Sequence, residues 1–216
     1  MLYFCANNNY NISAKGAFWM HTKERLALLA KENHGVLRTA DVLKAGISKT
    51  ALASFIKEQR FEKASHGIYH DPNAWTDRLF LLQLRCPKTV YSHDTALFMH
   101  DLTDREPLCY SLTAKTGYNP SHLTKEGIKV YTVKEDLFEI GVDALVTPFG
   151  NTVRVYNMER TICDVIRSRN TIEVSVFQEA LKRYVKRNDK NLHQLMEYAK
   201  KFRVERIIRQ YLEVLL

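Results

Sequence analysis

Glycine and proline are scarce, 8 and 5 residues in a chain of 216, which excludes long flexible linkers and bulk disorder. The four cysteines, Cys5, Cys86, Cys109 and Cys163, are far apart. No pair has the short spacing of a zinc knuckle or a redox dithiol, so reduced thiols in a core are expected. The eight histidines show no HExxH-like spacing, and no metal is expected. No apolar run approaches the roughly 20 residues that span a bilayer, and residues 1–20 are polar and Asn-rich where a signal peptide would be apolar. A cytoplasmic protein without a membrane partner is the expectation. A Walker loop, a GxGxxG turn and a paired metal-carboxylate pattern are all missing, as is a Gly-Ser followed by closely spaced aspartates. Neither a cofactor nor a catalytic centre is therefore expected, and the chain does not look like a nucleotidyltransferase.

What is present is apolar material, 45% of residues, and an excess of positive charge, +8. The first suffices for two cores, one of about 60 residues and one of about 140. The second, with a pI near 9.3, favours a polyanionic partner through phosphate neutralisation and counterion release.

Residues 1–21 carry no sustained periodicity and read as an N-terminal extension. The abrupt change after Met20 suggests that Met20 is the native start, which detection of residues 1–19 by mass spectrometry of the natural protein would refute. From Thr22 to about Asn33 the residues Leu26, Leu29 and Ala30 recur at helical spacing, and Gly35 is a stop signal. Thr39 is placed as the cap of a short helix over Asp41 to Ala45 that Gly46 ends, and Ser48 as the cap of a third helix to about Glu58. Two short extended pieces then run from Phe61 to His70 about a Ser65-His66-Gly67 turn, a hairpin wing closed by Asp71-Pro72. A winged helix-turn-helix over residues 22–75 follows.

A new helical period runs from Asp77 to Pro87. Beyond it come β-like segments at Thr89 to Tyr91, Leu108 to Leu112, Ile128 to Val133, Ala144 to Thr147 and Val153 to Tyr156, a helix over Asp94 to His100, and helices to the end. Strands followed by helices make residues 76–216 an α+β domain with a helical C-terminal region.

The third helix carries the sharpest functional signal. At about 100° per residue, Leu52, Phe55 and Ile56 fall on one side and Lys49, Thr50, Ala53, Ser54 and Lys57 on the other. Small residues let a helix backbone approach base edges, hydroxyls bond bases and phosphates, and flanking cations hold the backbone, so the second face suits a major groove. A solvated face is also polar, but the preceding helix and the Gly46-Ile47-Ser48 turn have helix-turn-helix spacing. The candidate DNA-binding residues are Thr39, Ser48, Lys49, Thr50, Ser54 and Lys57, with Arg60, Lys63, Ser65 and His66 on or beside the wing.

In the larger domain, Glu159 to Asp164 offers carboxylates and a cation. The apolar stripe of Met158, Ile162, Val165 and Ile166 instead suggests that Arg160, Asp164 and Arg167 form surface or interdomain ion pairs. Ser92 or Asp94 is expected to cap the helix they open, since adjacency of Ser92, His93 and Asp94 is no evidence for a triad. Near the C-terminus, Phe177, Ala180, Leu181 and Tyr184 form one stripe, and Val204, Ile207, Ile208, Tyr211, Leu212 and Leu215 another. This packing leaves Lys182, Arg183, Lys186, Arg187, Arg203, Arg206 and Arg209 outside. They form either a solvated face or a second basic surface for flanking DNA, RNA or an acidic partner.

From about residue 22 onward the chain resembles the AbiEi family, antitoxins of abortive-infection toxin-antitoxin operons. The resemblance rests on the order and spacing of four passages. These are the helix-turn-helix ending in His66-Gly67-Ile68-Tyr69; Tyr91-Ser92-His93-Asp94-Thr95-Ala96-Leu97 leading to Leu102-Thr103-Asp104-Arg105; Thr147-Pro148-Phe149-Gly150; and Glu159-Arg160-Thr161-Ile162-Cys163-Asp164. The resemblance implies a winged helix that represses its own operon at repeated promoter sites in double-stranded DNA, and a C-terminal domain that counteracts a nucleotidyltransferase-like toxin. Residues before Met20 have no counterpart in it. The competing readings are a winged-helix-fused nuclease, which would need convergent carboxylates that the sequence does not display, and a one-component regulator whose larger domain senses a small molecule.

Overall fold

The computed structural model describes residues 22–215. The expected extension over residues 1–21, with Cys5 and the proposed start at Met20, lies outside them. The chain divides into two compact units between Thr76 and Asp77, and both helices and two sheets are present, an α+β architecture.

The first unit runs α1 (Thr22–Glu32), β1 (Val36–Arg38), α2 (Thr39–Lys44), α3 (Lys49–Glu58), β2 (Glu62–Ser65) and β3 (Ile68–His70). The sheet has the order β1-β3-β2 and both pairings are antiparallel, with Leu37 opposite Tyr69 and a register shift between Lys63 and Ser65. Leu26, Ala30, Leu37, Val42, Ile47, Leu52 and Phe55 form one buried cluster. β1 is absent from the sequence reading because three residues directly after a helix leave no alternation to detect. One capping assignment is corrected. Thr39 is the first residue of α2, whose cap position is Arg38 without a side-chain bond. The Thr39 N–H instead donates to the Gly67 carbonyl at 2.8 Å, so this threonine ties the hairpin turn to the start of α2.

The second unit begins with α4 (Arg78–Arg85), β4 (Thr89–Tyr91), α5 (His93–Met99), β5 (Ser111–Lys115), α6 (Ser121–Lys125), β6 (Lys129–Val133) and α7 (Glu135–Phe138). It continues with β7 (Val142–Val146), β8 (Thr152–Tyr156), α8 (Met158–Arg167), α9 (Val174–Lys186), α10 (Leu192–Lys201) and α11 (Glu205–Leu215). The five-stranded sheet has the order β6-β5-β4-β8-β7. β5 with β6 and β4 with β8 are parallel, while β4 with β5 and β7 with β8 are antiparallel. α8 packs against α5, α9 and α10, and Leu97, Ile162, Val165, Phe177, Leu181, Leu195 and Ile208 belong to the resulting core.

Two expectations shift here. The strand expected at Leu108 to Leu112 starts at Ser111 and ends at Lys115. Leu108 is fully exposed, whereas Ser111, Leu112, Thr113 and Ala114 are all buried. β5 is paired on both sides, so its small polar residues are inside: Thr95 Oγ1 accepts from the Ser111 N–H and Ser92 Oγ from Thr113 Oγ1. Ser92 occupies the cap position of α5 but makes no capping bond, since its hydroxyl meets Thr113 and His93 instead, and Asp94 pairs with Lys129 at 3.5 Å.

The largest correction concerns α8. Arg160 and Asp164 do pair, Nε to Oδ2 at 2.9 Å, but they are buried, not at a surface. Arg160 Nη1 donates to the carbonyls of Leu137 (2.7 Å) and Ile140 (2.9 Å). Its guanidinium lies 4.1 Å from the centre of the Tyr156 ring and 3.8 Å from that of Phe202. Glu159 is buried too and accepts from the Tyr184 hydroxyl and the Asn191 N–H. Gly141 has φ +73°, and a Cβ there would lie 2.6 Å from Arg160 Cβ, so only glycine lets the chain pass this arginine.

Candidate nucleic-acid interface

α3 is set by the residues at its start. Ser48 is its N-cap and its hydroxyl accepts from the Ala51 N–H at 3.2 Å, which satisfies one of the free donors of the first turn. Before it, Gly46 takes φ +74° and Ile47 is buried in the core. A residue with a Cβ resists that conformation, so Gly46 lets α2 stop and the chain turn within a few residues. Leu52 and Phe55 then anchor the inner side of α3.

The outer side is Lys49, Thr50, Ala53, Ser54 and Lys57, all exposed. Neither lysine has an ion-pair partner among the described residues. The neighbouring carboxylates are drawn elsewhere: Glu58 pairs with Lys23 at 2.7 Å and Glu62 with His70 at 3.4 Å. The face thus presents two cations, two hydroxyls and a methyl group, with no acidic side chain on it.

α3 ends with Gln59 at the cap, Arg60 at φ +56°, and the Phe61 N–H bonded to the Ile56 carbonyl at 3.0 Å. Glycine usually fills the left-handed position of such a close; here it holds an exposed arginine. Lys63 and His66 are exposed on the hairpin and Ser65 is half-buried. Of the ten candidates, Thr39 and Ser65 are half-buried, and Thr39 lies against the hairpin turn at Gly67.

The C-terminal cations separate into two groups. Arg183 pairs with Asp104 and Glu179, Arg187 with Asp189 at 2.8 Å, and Arg209 with Glu205 at 2.8 Å. Lys182, Lys186, Arg203 and Arg206 are exposed without an ion-pair partner among the described residues. Exposed pairs of this kind are worth little to stability.

Among the described residues no group of three His, Cys, Asp or Glu side chains is placed to hold a metal ion. No helix of that part is long and apolar enough to cross a membrane. Cys86, Cys109 and Cys163 are free thiols, and burial pushes the Cys163 thiol well above its ordinary range.

Residues 24–69, the segment that builds this face, match the family described as "Transcriptional regulator, AbiEi antitoxin". The resemblance drawn from the sequence is borne out over this segment, and it supports the general role of an antitoxin regulator. The fold of the longer chain is similar to that of the RV2827C protein from Mycobacterium tuberculosis. Its crystal structure superposes with a TM-score of 0.57 at 12% identity, over 83% of this chain and 71% of that one. No curated protein matches the chain.

Proposed function

We propose that the first unit is a winged helix-turn-helix that binds double-stranded DNA at the promoter of its own operon and represses it. The second unit then counteracts a nucleotidyltransferase-like toxin, so that the chain is an autoregulating antitoxin and not an enzyme. The observation that carries this reading is the outer face of α3: exposed, free of carboxylates, and held in place by a capped start and a packed inner side. The family described for residues 24–69 is one of antitoxin transcriptional regulators, which supports the general role of an antitoxin regulator.

In this account Lys49 and Lys57 contact phosphates, Thr50 and Ser54 lie nearest the base edges, and Ser48 fixes the angle at which α3 enters the groove. Arg60, Lys63 and His66 reach the backbone beside the wing. Thr39 acts only through the hairpin turn it holds. Lys49→Ala and Lys57→Ala should each weaken binding to any duplex and flatten the dependence of log affinity on log salt by about one. Thr50→Ala or Ser54→Ala should instead change the preference between operator variants, by about 1 to 3 kcal/mol for a lost base contact. A fluorescence-anisotropy titration series checks both. Lysine variants with unchanged affinity and slope would remove α3 from the interface.

A further inference from the structure

The second unit holds a cleft of about 620 Å³, within the size range of ligand sites. Its lining brings together three cations from separate elements: Lys88 before β4, Lys115 at the end of β5 and Arg154 on β8. Tyr118 and Asn119, on the loop after β5, line the same cleft, and Phe138 closes its floor.

The cations are held in an exchangeable way. Lys115 Nζ lies 2.8 Å from Glu135 and Arg154 Nη2 3.0 Å from Glu139, and both carboxylates belong to α7 or the residue that ends it. The two glutamates are well exposed, 83% and 62%, so each pair contributes little and a more highly charged anion can take its place. Lys88 is exposed with no ion-pair partner among the described residues.

The floor, by contrast, is fixed. Phe138 is buried, its carbonyl accepts from the Tyr156 hydroxyl at 2.9 Å, and the carbonyls of Leu137 and Ile140 on either side are held by Arg160. Lys115 Nζ and the Arg154 guanidinium lie 5.5 Å and 5.9 Å from the centre of the same Phe138 ring. Two cations over one apolar surface, with a third beside them, make a preformed seat for a compact polyanion. Arginine adds the paired donors that phosphate oxygens accept.

We infer that this cleft binds a phosphorylated small molecule whose di- or triphosphate group bridges Lys88, Lys115 and Arg154 and displaces Glu135 and Glu139. The inference does not depend on the DNA-binding reading. Isothermal titration of the full chain at constant ionic strength, with inorganic pyrophosphate in one arm and adenosine triphosphate in the other, tests it. Saturable binding is expected. It should weaken at least tenfold in the Lys115→Gln/Arg154→Gln variant and tighten several-fold in Glu135→Gln/Glu139→Gln, a gain that misfolding cannot imitate. Equal affinity in the two arms assigns recognition to the phosphate chain alone, and tighter binding of the nucleotide adds a contact for the base at Tyr118. No saturation in either arm, or affinities that neither double variant changes, would overturn the proposal.

Discussion

An Arg160→Ala variant should lose about 3 to 5 kcal/mol of stability, the range for breaking a buried ion pair from one side. That is a large part of the 5–15 kcal/mol typical of a domain. The loss has three sources. Asp164, 2% exposed, would be left as a buried carboxylate without its cation. Burial already pushes this carboxyl above its ordinary range against the opposing pull of Arg160. The carbonyls of Leu137 and Ile140 would lose their donor. A space would open between the rings of Tyr156 and Phe202, which now enclose the guanidinium, with the cost of a cavity added. Arg160→Lys should recover only part of this, because an ammonium cannot reproduce the planar fork. Replacing Arg160 and Asp164 together by apolar residues should recover more than the lysine does, since no unpaired charge remains. Urea unfolding followed by circular dichroism measures the series, and an alanine variant with the parent's midpoint would contradict the role assigned to Arg160.

Acid should destabilise the second unit through a buried histidine. His93 is 3% exposed, with Nδ1 3.0 Å from Ser92 Oγ, Nε2 3.1 Å from Ser168 Oγ and its ring stacked on Tyr131 at 3.5 Å. Burial, then the charges of Arg160, Arg167 and Lys129, lower its pKa to about 3. In the unfolded chain the imidazole titrates near 6.5. Between these values the unfolded state binds a proton that the folded state refuses. The stability is therefore fully present above about pH 6.5 and is lost as the pH falls toward about 3. The full effect is of order 5 kcal/mol, and burial of His100 adds to it in the same direction. Urea midpoints taken at steps from about pH 7 to about pH 4 should fall steeply. In His93→Asn, a residue that tolerates the φ of +49° found here, stability at neutral pH should be lower and the acid slope shallower. An equal slope in the two proteins would mean that another group carries the acid response.

The parts of this molecule that were legible in the sequence are those whose signal is local. α3 announces itself through Ser48, the Gly46 turn and a clean separation of Leu52 and Phe55 from Lys49, Ser54 and Lys57. The C-terminal stripes containing Tyr184 and Ile208 are read from spacing in the same way. What failed was what depends on distant partners. β5 is buried on both faces, so Thr113 and Ala114 fall outside the strand expected at Leu108 to Leu112, and the polar Ser111 and Thr113 find their partners only in the distant Thr95 and Ser92. α8 is enclosed by α5, α9 and α10, so Glu159, Arg160 and Asp164, which a single amphipathic helix would send outward, are inside. α6 and α7, five and four residues long, are too short for a period to show. The cleft of Lys88, Lys115 and Arg154 joins residues up to 66 positions apart, and no motif could have signalled it.

The central proposal is that the outer face of α3 reads DNA. The most direct test is titration of the intact protein against its own promoter and a scrambled duplex at two salt concentrations, beside a variant carrying Lys49→Ala, Thr50→Ala, Ser54→Ala and Lys57→Ala. Salt-sensitive binding that favours the promoter, with the preference gone in the variant, is the predicted result. Equal affinity for both duplexes, or a variant that keeps the parent's preference, would contradict it.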